Sequence, residues 1–161
     1  MTTTSPNRHP ALRGRRPTGE RPARMTRRRW SAWTAAWTGG AVLAVANGTV
    51  RELVLVPWLG ATGARQVSTL ALVLLLAGYI WWLCRRLPLP TVRVALRVGV
   101  LWVVLTLGFE FGLGHYVQGK PWATLLADYD LSAGRIWLLV PLWTLVAPAV
   151  TTWLQGRGGR R

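Results

Sequence analysis

Four uncharged, strongly apolar stretches interrupt a chain that is otherwise rich in arginine. The first, Trp30 to Val50, runs 21 residues, and at ~1.5 Å per residue it covers a hydrocarbon core of about 30 Å. Its span carries on past Arg51 and Glu52 to about residue 56. The second, Val67 to Cys84, holds 18 uncharged residues between Arg65 and the Arg85-Arg86 pair. Only 12 residues separate Arg97 from Glu110 in the third. Extending it from Val94 to Leu113 gives 20, with Arg97 turning its charged head to the interface and Glu110 inside the span. The fourth, Ile136 to Leu154, has 19 uncharged residues and contains Pro141 and Pro148, which membrane helices tolerate and which predict a kink. The pattern predicts an all-α membrane protein, a bundle of four transmembrane helices spanning approximately 30–56, 67–84, 94–113 and 136–154. This domain, 30–156, lies between a tail at 1–29 and a short basic tail at 157–161.

Between the third and fourth spans, Pro121 suits a first helical position, and Trp122, Leu125, Leu126 and Tyr129 recur at helical spacing. A short amphipathic helix at the outer surface is expected there, with Ser132 capping the helix that follows. Gly40, Ala44 and Gly48 form a small-residue stripe on the first helix, and Gly108 with Gly112 forms a GxxxG on the third. Close helix contact, within one chain or between copies, is the expected use of both.

Charge sets the orientation. Residues 1–29 hold nine of the 20 basic residues, with four prolines and no apolar run, the composition of a disordered basic tail. Together with four in the 85–97 turn and three at the C-terminus they total 16, against four (Arg51, Arg65, Lys120, Arg135) in the other connections. The positive-inside rule therefore predicts that both termini are cytoplasmic, and the Arg-, Ala-, Gly-, Pro- and Val-rich composition, with Lys120 the one lysine, suggests a bacterial source and hence an inner (cell) membrane. Trp30, Trp33, Trp81, Trp82 and Trp153 are expected near the inner interface, and Trp58, Trp122 and Trp137 near the outer one. A net charge of +15 would suggest nucleic acid in a soluble protein, but here the arginines punctuate membrane spans. The bilayer is the expected partner, with anionic lipid head groups attracted to the N-terminal tail. Met25 begins a shorter frame, MTRRRW, that keeps Arg27, Arg28 and Arg29, so residues 1–24 are expected to be dispensable for insertion. A competing reading takes the basic residues, the apolar run and Ala44-Val45-Ala46 as a cleaved signal. The run exceeds the ~7 to 15 residues of a signal core, and the charge alternation needs the first helix.

Cys84 is the one cysteine, which excludes an intrachain disulfide, a thiolate cluster and a CxxC pair. Arg51 and Glu52 precede Leu53-Val54-Leu55-Val56 and then Pro57-Trp58, and Glu110 sits between Phe109 and Phe111. Charges at such depth need partners. Neighbours in a helix do not face one another, so Arg51 and Glu110, placed at similar depth on different helices, are expected to pair. Asn47, Arg51, Glu52, Glu110, His115, Tyr116, Asp128, Asp130 and Arg135 form the candidate polar site at the outer leaflet. Structural ion pairs account for the same residues without a ligand. No metal-ligand spacing accompanies His115, no cofactor is implied, and the Gly-rich 108–114 segment lacks the strand and Lys-Ser/Thr of a nucleotide loop.

The run GFEFGLGHY at 108–116, with Trp122, Leu125-Leu126, Asp128-Tyr129 and GRIW at 134–137, resembles a family of small uncharacterised bacterial membrane proteins. RELVLVPW at 51–58 adds a weaker match. The resemblance implies membrane location and a polar outer segment, and assigns no catalytic residues. The expected function is a non-enzymatic accessory or assembly subunit that binds a membrane-protein partner or a second copy. The alternatives are an oligomeric channel or transporter subunit, and a membrane enzyme acting on lipid head groups at the outer face.

Overall fold

The computed structural model describes residues 25–127, 129, 130 and 136–158. Its order is α1 (Arg27–Val50), a π-helical turn (Arg51–Leu55), α2 (Val56–Arg86), α3 (Val92–Gly112), a second π-helical turn (Leu113–Val117), α4 (Trp122–Ala127), a 3-10 turn (Ile136–Leu138) and α5 (Leu139–Gly158). No strand occurs among the described residues. Three helical runs, Arg27–Arg86, Val92–Val117 and Ile136–Arg157, are long and apolar enough to cross a membrane.

The first run is not one straight rod. Gly60 sits at φ 67° and ψ 169°, a conformation that only glycine adopts at little cost, and the chain reverses there. Two contacts fix the resulting antiparallel hairpin. The Tyr79 hydroxyl donates to the Ala36 carbonyl at 2.7 Å, and the Asn47 amide donates to the Ser68 carbonyl at 3.0 Å. The loop expected at 57–66 is thus helical on both sides of one glycine. Pro57 fits because it falls in the first turn of α2, where a missing N–H costs nothing.

Alongside α1, α3 runs parallel in a constant register. Trp102 Nε1 donates to the Trp33 carbonyl at 2.9 Å, and Trp37 Nε1 donates to Thr106 Oγ1 at 3.1 Å, each a separation of 69 positions. Thr91 caps α3 by accepting from the Val94 N–H at 3.2 Å. The hydroxyl of Thr144 donates to the Val140 carbonyl and that of Thr152 to the Pro148 carbonyl within α5. Pro141 falls in the first turn of α5 and Pro148 inside it. The cap proposed for Ser132 lies outside the described residues.

The core lies at the level of Trp33, Ile80, Val98, Trp102 and Ala147, all almost fully buried. Trp33 was expected in the inner aromatic belt and instead is 1% exposed, tilted against Trp102 with ring centroids 5.8 Å apart. Trp30, one turn earlier on the same helix face, packs against the same core, and the Trp33–Trp102 pair contributes about 0.5 to 1.5 kcal/mol beyond its burial. A Cβ on Gly99 would overlap the backbone carbonyl of Leu145, and one on Gly39 would overlap the Tyr79 ring. These glycines, with Gly40 against Leu76 and Trp102, allow the close helix approaches. Ala44 packs at the edge of a second cluster around Leu72, Leu76 and Val140. Gly48, Gly108 and Gly112 face open space, so the expected packing stripes hold at Gly40 and Ala44 and not at these three within the chain.

Candidate functional site

Two polar groups stand toward the hairpin end of the molecule. On the hairpin itself, Arg51 Nη2 lies 2.9 Å from Glu52 Oε1, and Arg51 Nε donates to the same oxygen at 3.0 Å. The expected partner of Arg51 was Glu110, and the structure overturns that pairing. The register of α3 on α1 puts Glu110 level with Ala41, ten residues before Arg51, or about 15 Å along the axis. The pair with Glu52 forms because residues 51–55 are a wider π-helical turn, around which the long arginine side chain can curl to its neighbour. The Arg51 and Glu52 side chains are 29% and 62% exposed, so this is a weak surface pair. Asn47 is used in the hairpin contact with Ser68.

The second group is built where α3 passes through its terminal π-helical turn and α4 folds back on it. Tyr129 donates its hydroxyl to Glu110 Oε2 at 2.6 Å. Tyr129 was expected only as an apolar position, and the short distance is that of a charge-assisted hydrogen bond. Above this contact the rings stack in series. Phe111 lies 5.9 Å from Tyr129 and 6.0 Å from Trp122. Trp122 lies 4.2 Å from His115, which meets Tyr116 edge-on at 5.0 Å. His115 Nδ1 is 3.0 Å from the Lys120 carbonyl, which can only accept, so Nδ1 carries the proton. Leu125 closes the group by packing on Gly114, where a Cβ would crowd its methyl groups. Trp122 and Leu125 of the expected amphipathic helix do face α3, whereas Leu126 is exposed.

Of the nine candidate positions, Glu110, His115 and Tyr116 come together here, and Asp130 follows Tyr129 directly. Asp128 and Arg135 lie outside the described residues. Among the described residues, no hydrogen bond or ion pair joins Asn47, Arg51 or Glu52 to the α3–α4 group. No group of three or more metal-ligating side chains occurs among them either. Trp122 was legible by its helical spacing to Leu125, Leu126 and Tyr129 and Phe111 only as a neighbour of Glu110, and their role as spacers between His115 and Tyr129 was not.

A narrow cleft of about 50 Å³ lies between the helices, lined by Trp37, Gly40, Ala44, Trp102, Thr106 and Phe109 among others. Past Trp37 and Phe109 it meets an open apolar groove along Ala41, Val42 and Val45 of α1. No family model, curated protein or solved structure matches the chain.

Proposed function

We propose that this chain is a four-span membrane protein with both termini cytoplasmic, a non-enzymatic accessory or assembly subunit that docks a membrane-embedded partner protein on the end of its α1–α2 hairpin. The observation that carries this reading is the overshoot of the hairpin. From Arg27 to Leu59 the first arm has 33 residues, about 50 Å of helix against a hydrocarbon core of about 30 Å. By the register with Trp102 and Thr106, the end of the second π-helical turn at Val117 is level with Gly48. The hairpin therefore continues about 15 Å beyond the end of the α3 run at Val117.

That overhang is apolar where an aqueous segment would be polar. Leu53 is 73% and Trp58 86% exposed, with Val54 and Leu59 also uncovered. Burying such side chains gains about 1.5 to 3 kcal/mol each, and a partner's surface is the cover that fits a patch beyond the bilayer. Gly108 and Gly112, with open space above them, leave a second place for close helix approach. The α3–α4 aromatic stack braces the same end. An ion path through a single copy has little support, because the cleft among the helices offers apolar walls and threonine hydroxyls already used within the chain. Catalysis at the head-group level has equally little, since Glu110 and His115 are engaged with Tyr129 and Lys120.

Site-specific photo-crosslinking in native membranes tests the reading. A crosslinker at Leu53 or Trp58 should give a discrete protein adduct, while one at Leu74, an exposed mid-span position, should give lipid adducts. With the crosslinker moved to Leu59, which is also uncovered, Leu53→Glu with Trp58→Glu should abolish the protein adduct without changing thermal stability in detergent. Lipid adducts alone at Leu53 and Trp58 would refute docking at the hairpin end.

A further inference from the structure

The opposite end of the molecule carries a repeated device that the docking role does not use. Three times a tryptophan is followed four residues later by an arginine near a helix C-terminus: Trp81 and Arg85, Trp82 and Arg86, Trp153 and Arg157. Residues four apart lie on one helix face, and in each case the guanidinium sits over the ring, at 5.2, 5.6 and 3.7 Å from its centroid. All six side chains are exposed. The two helix ends converge, since the Cys84 side chain of α2 meets that of Thr152 of α5, directly before Trp153. Arg29 reaches the same place by donating to the Pro88 carbonyl at 3.3 Å. The described carboxylates, Glu52, Glu110 and Asp130, belong to the other end.

We infer that the paired Trp-Arg ends of α2 and α5 form a binding site for the phosphate-bearing head groups of anionic phospholipids. A guanidinium held over an indole face by cation–π attraction is restrained there while its N–H groups can still donate outward. Those N–H groups grip a phosphate with two parallel hydrogen bonds. Arginines held this way lose less freedom on binding than free ones, so the tryptophans contribute to head-group affinity as well as to anchoring. The site lies in the folded domain and is separate from the basic residues at 1–24. It is also independent of the docking proposal, because none of its residues lies on the hairpin end.

The test uses the full chain in detergent micelles doped with phosphatidylglycerol or with phosphatidylcholine, reading the midpoint of thermal unfolding in each. The quantity is the difference between the two lipids within one variant, so a general loss of stability cancels. The intact protein should be more stable with phosphatidylglycerol. Arg157→Gln should weaken the apparent affinity about five-fold, the effect of about one interfacial basic residue. The Arg85→Gln, Arg86→Gln, Arg157→Gln triple should remove most of the difference. Replacing Trp81, Trp82 and Trp153 by Leu should also reduce it although no charge changes, and Arg51→Gln should leave it intact. If the tryptophan triple keeps the full preference, bulk charge alone is responsible and the site is refuted. An equal loss in Arg51→Gln would refute it too. Inorganic phosphate at constant ionic strength should not compete, and competition would identify a free-anion site in place of a lipid site.

Discussion

Tyr129 donates a hydrogen bond from its hydroxyl to Glu110 across the α3–α4 junction at 2.6 Å, and this contact ties a carboxylate near the end of one long helix to the segment that follows α4. A hydrogen bond to a charged group contributes about 1.5 to 3 kcal/mol when its partner is left buried without it. Because the pair is only partly buried, Tyr129→Phe should cost about 1 to 2 kcal/mol. The loss is expected as a lowered unfolding midpoint in detergent, with unchanged insertion. A midpoint within error of the intact protein would mean that other contacts, the aromatic stack among them, hold the junction.

Glycines that look alike in sequence should respond in opposite ways. Gly99→Ala puts a methyl group into the Leu145 backbone carbonyl, which cannot move without separating α3 from α5, and overpacking of this kind costs about 1 to 3 kcal/mol or more. Gly108→Ala and Gly112→Ala meet nothing among the described residues and should raise monomer stability by up to about 1 kcal/mol each through helix propensity. Thermal unfolding of the three variants checks the contrast. If Gly108→Ala also lowers crosslinking of the hairpin end to its partner, that face of α3 belongs to the docking surface.

Three of the helices were legible because uncharged runs of 18 to 21 residues have few other uses, and the third span because its 12-residue run extends to 20 once Arg97 and Glu110 are included. What failed was depth. Counting residues back from Trp58 as an interface marker put Arg51 inside the membrane beside Glu110, whereas the α1–α3 register set by Trp33, Trp37, Trp102 and Thr106 separates them. Nothing local announces such a register, because it arises from indole N–H groups finding acceptors on another helix. The glycine reading erred for a related reason. A GxxxG pattern says that a helix can be approached closely and not that its own chain does so, while the isolated Gly99 carries no pattern at all. Glu110 stood out as a membrane-embedded acid, yet its donor, Tyr129, was disguised by an apolar periodicity that it also satisfies.

Topology is open to a direct chemical check because the one native cysteine is buried. A second cysteine at Gln118, exposed in the α3–α4 connection and away from the hairpin end, should react with a membrane-impermeant maleimide added to intact cells. A cysteine in place of Leu87, in the α2–α3 connection, should react only after the membrane is opened. The opposite pattern would invert the orientation drawn from the 16 to 4 distribution of basic residues.

The last prediction concerns Arg51, which has exchanged a long-range partner for its neighbour. Had it been locked to Glu110 in a buried pair, Arg51→Leu and Glu110→Leu would each cost about 3 to 5 kcal/mol and the double substitution would recover much of the loss. The geometry leads elsewhere. Arg51 pairs with Glu52 on an exposed turn, where an ion pair is worth about 0 to 1 kcal/mol, and Glu110 is held by Tyr129. Arg51→Leu should therefore change stability by less than about 1 kcal/mol, and its effect should add to that of Glu110→Leu, as expected for sites without a shared contact. A double-mutant cycle on the unfolding midpoints decides. Coupling between Arg51 and Glu110 above about 0.5 kcal/mol would mean that the hairpin bends back at its π-helical turn to bring the two charges together. The apolar overhang at Leu53 and Trp58 would then be folded against the bundle and unable to meet a partner.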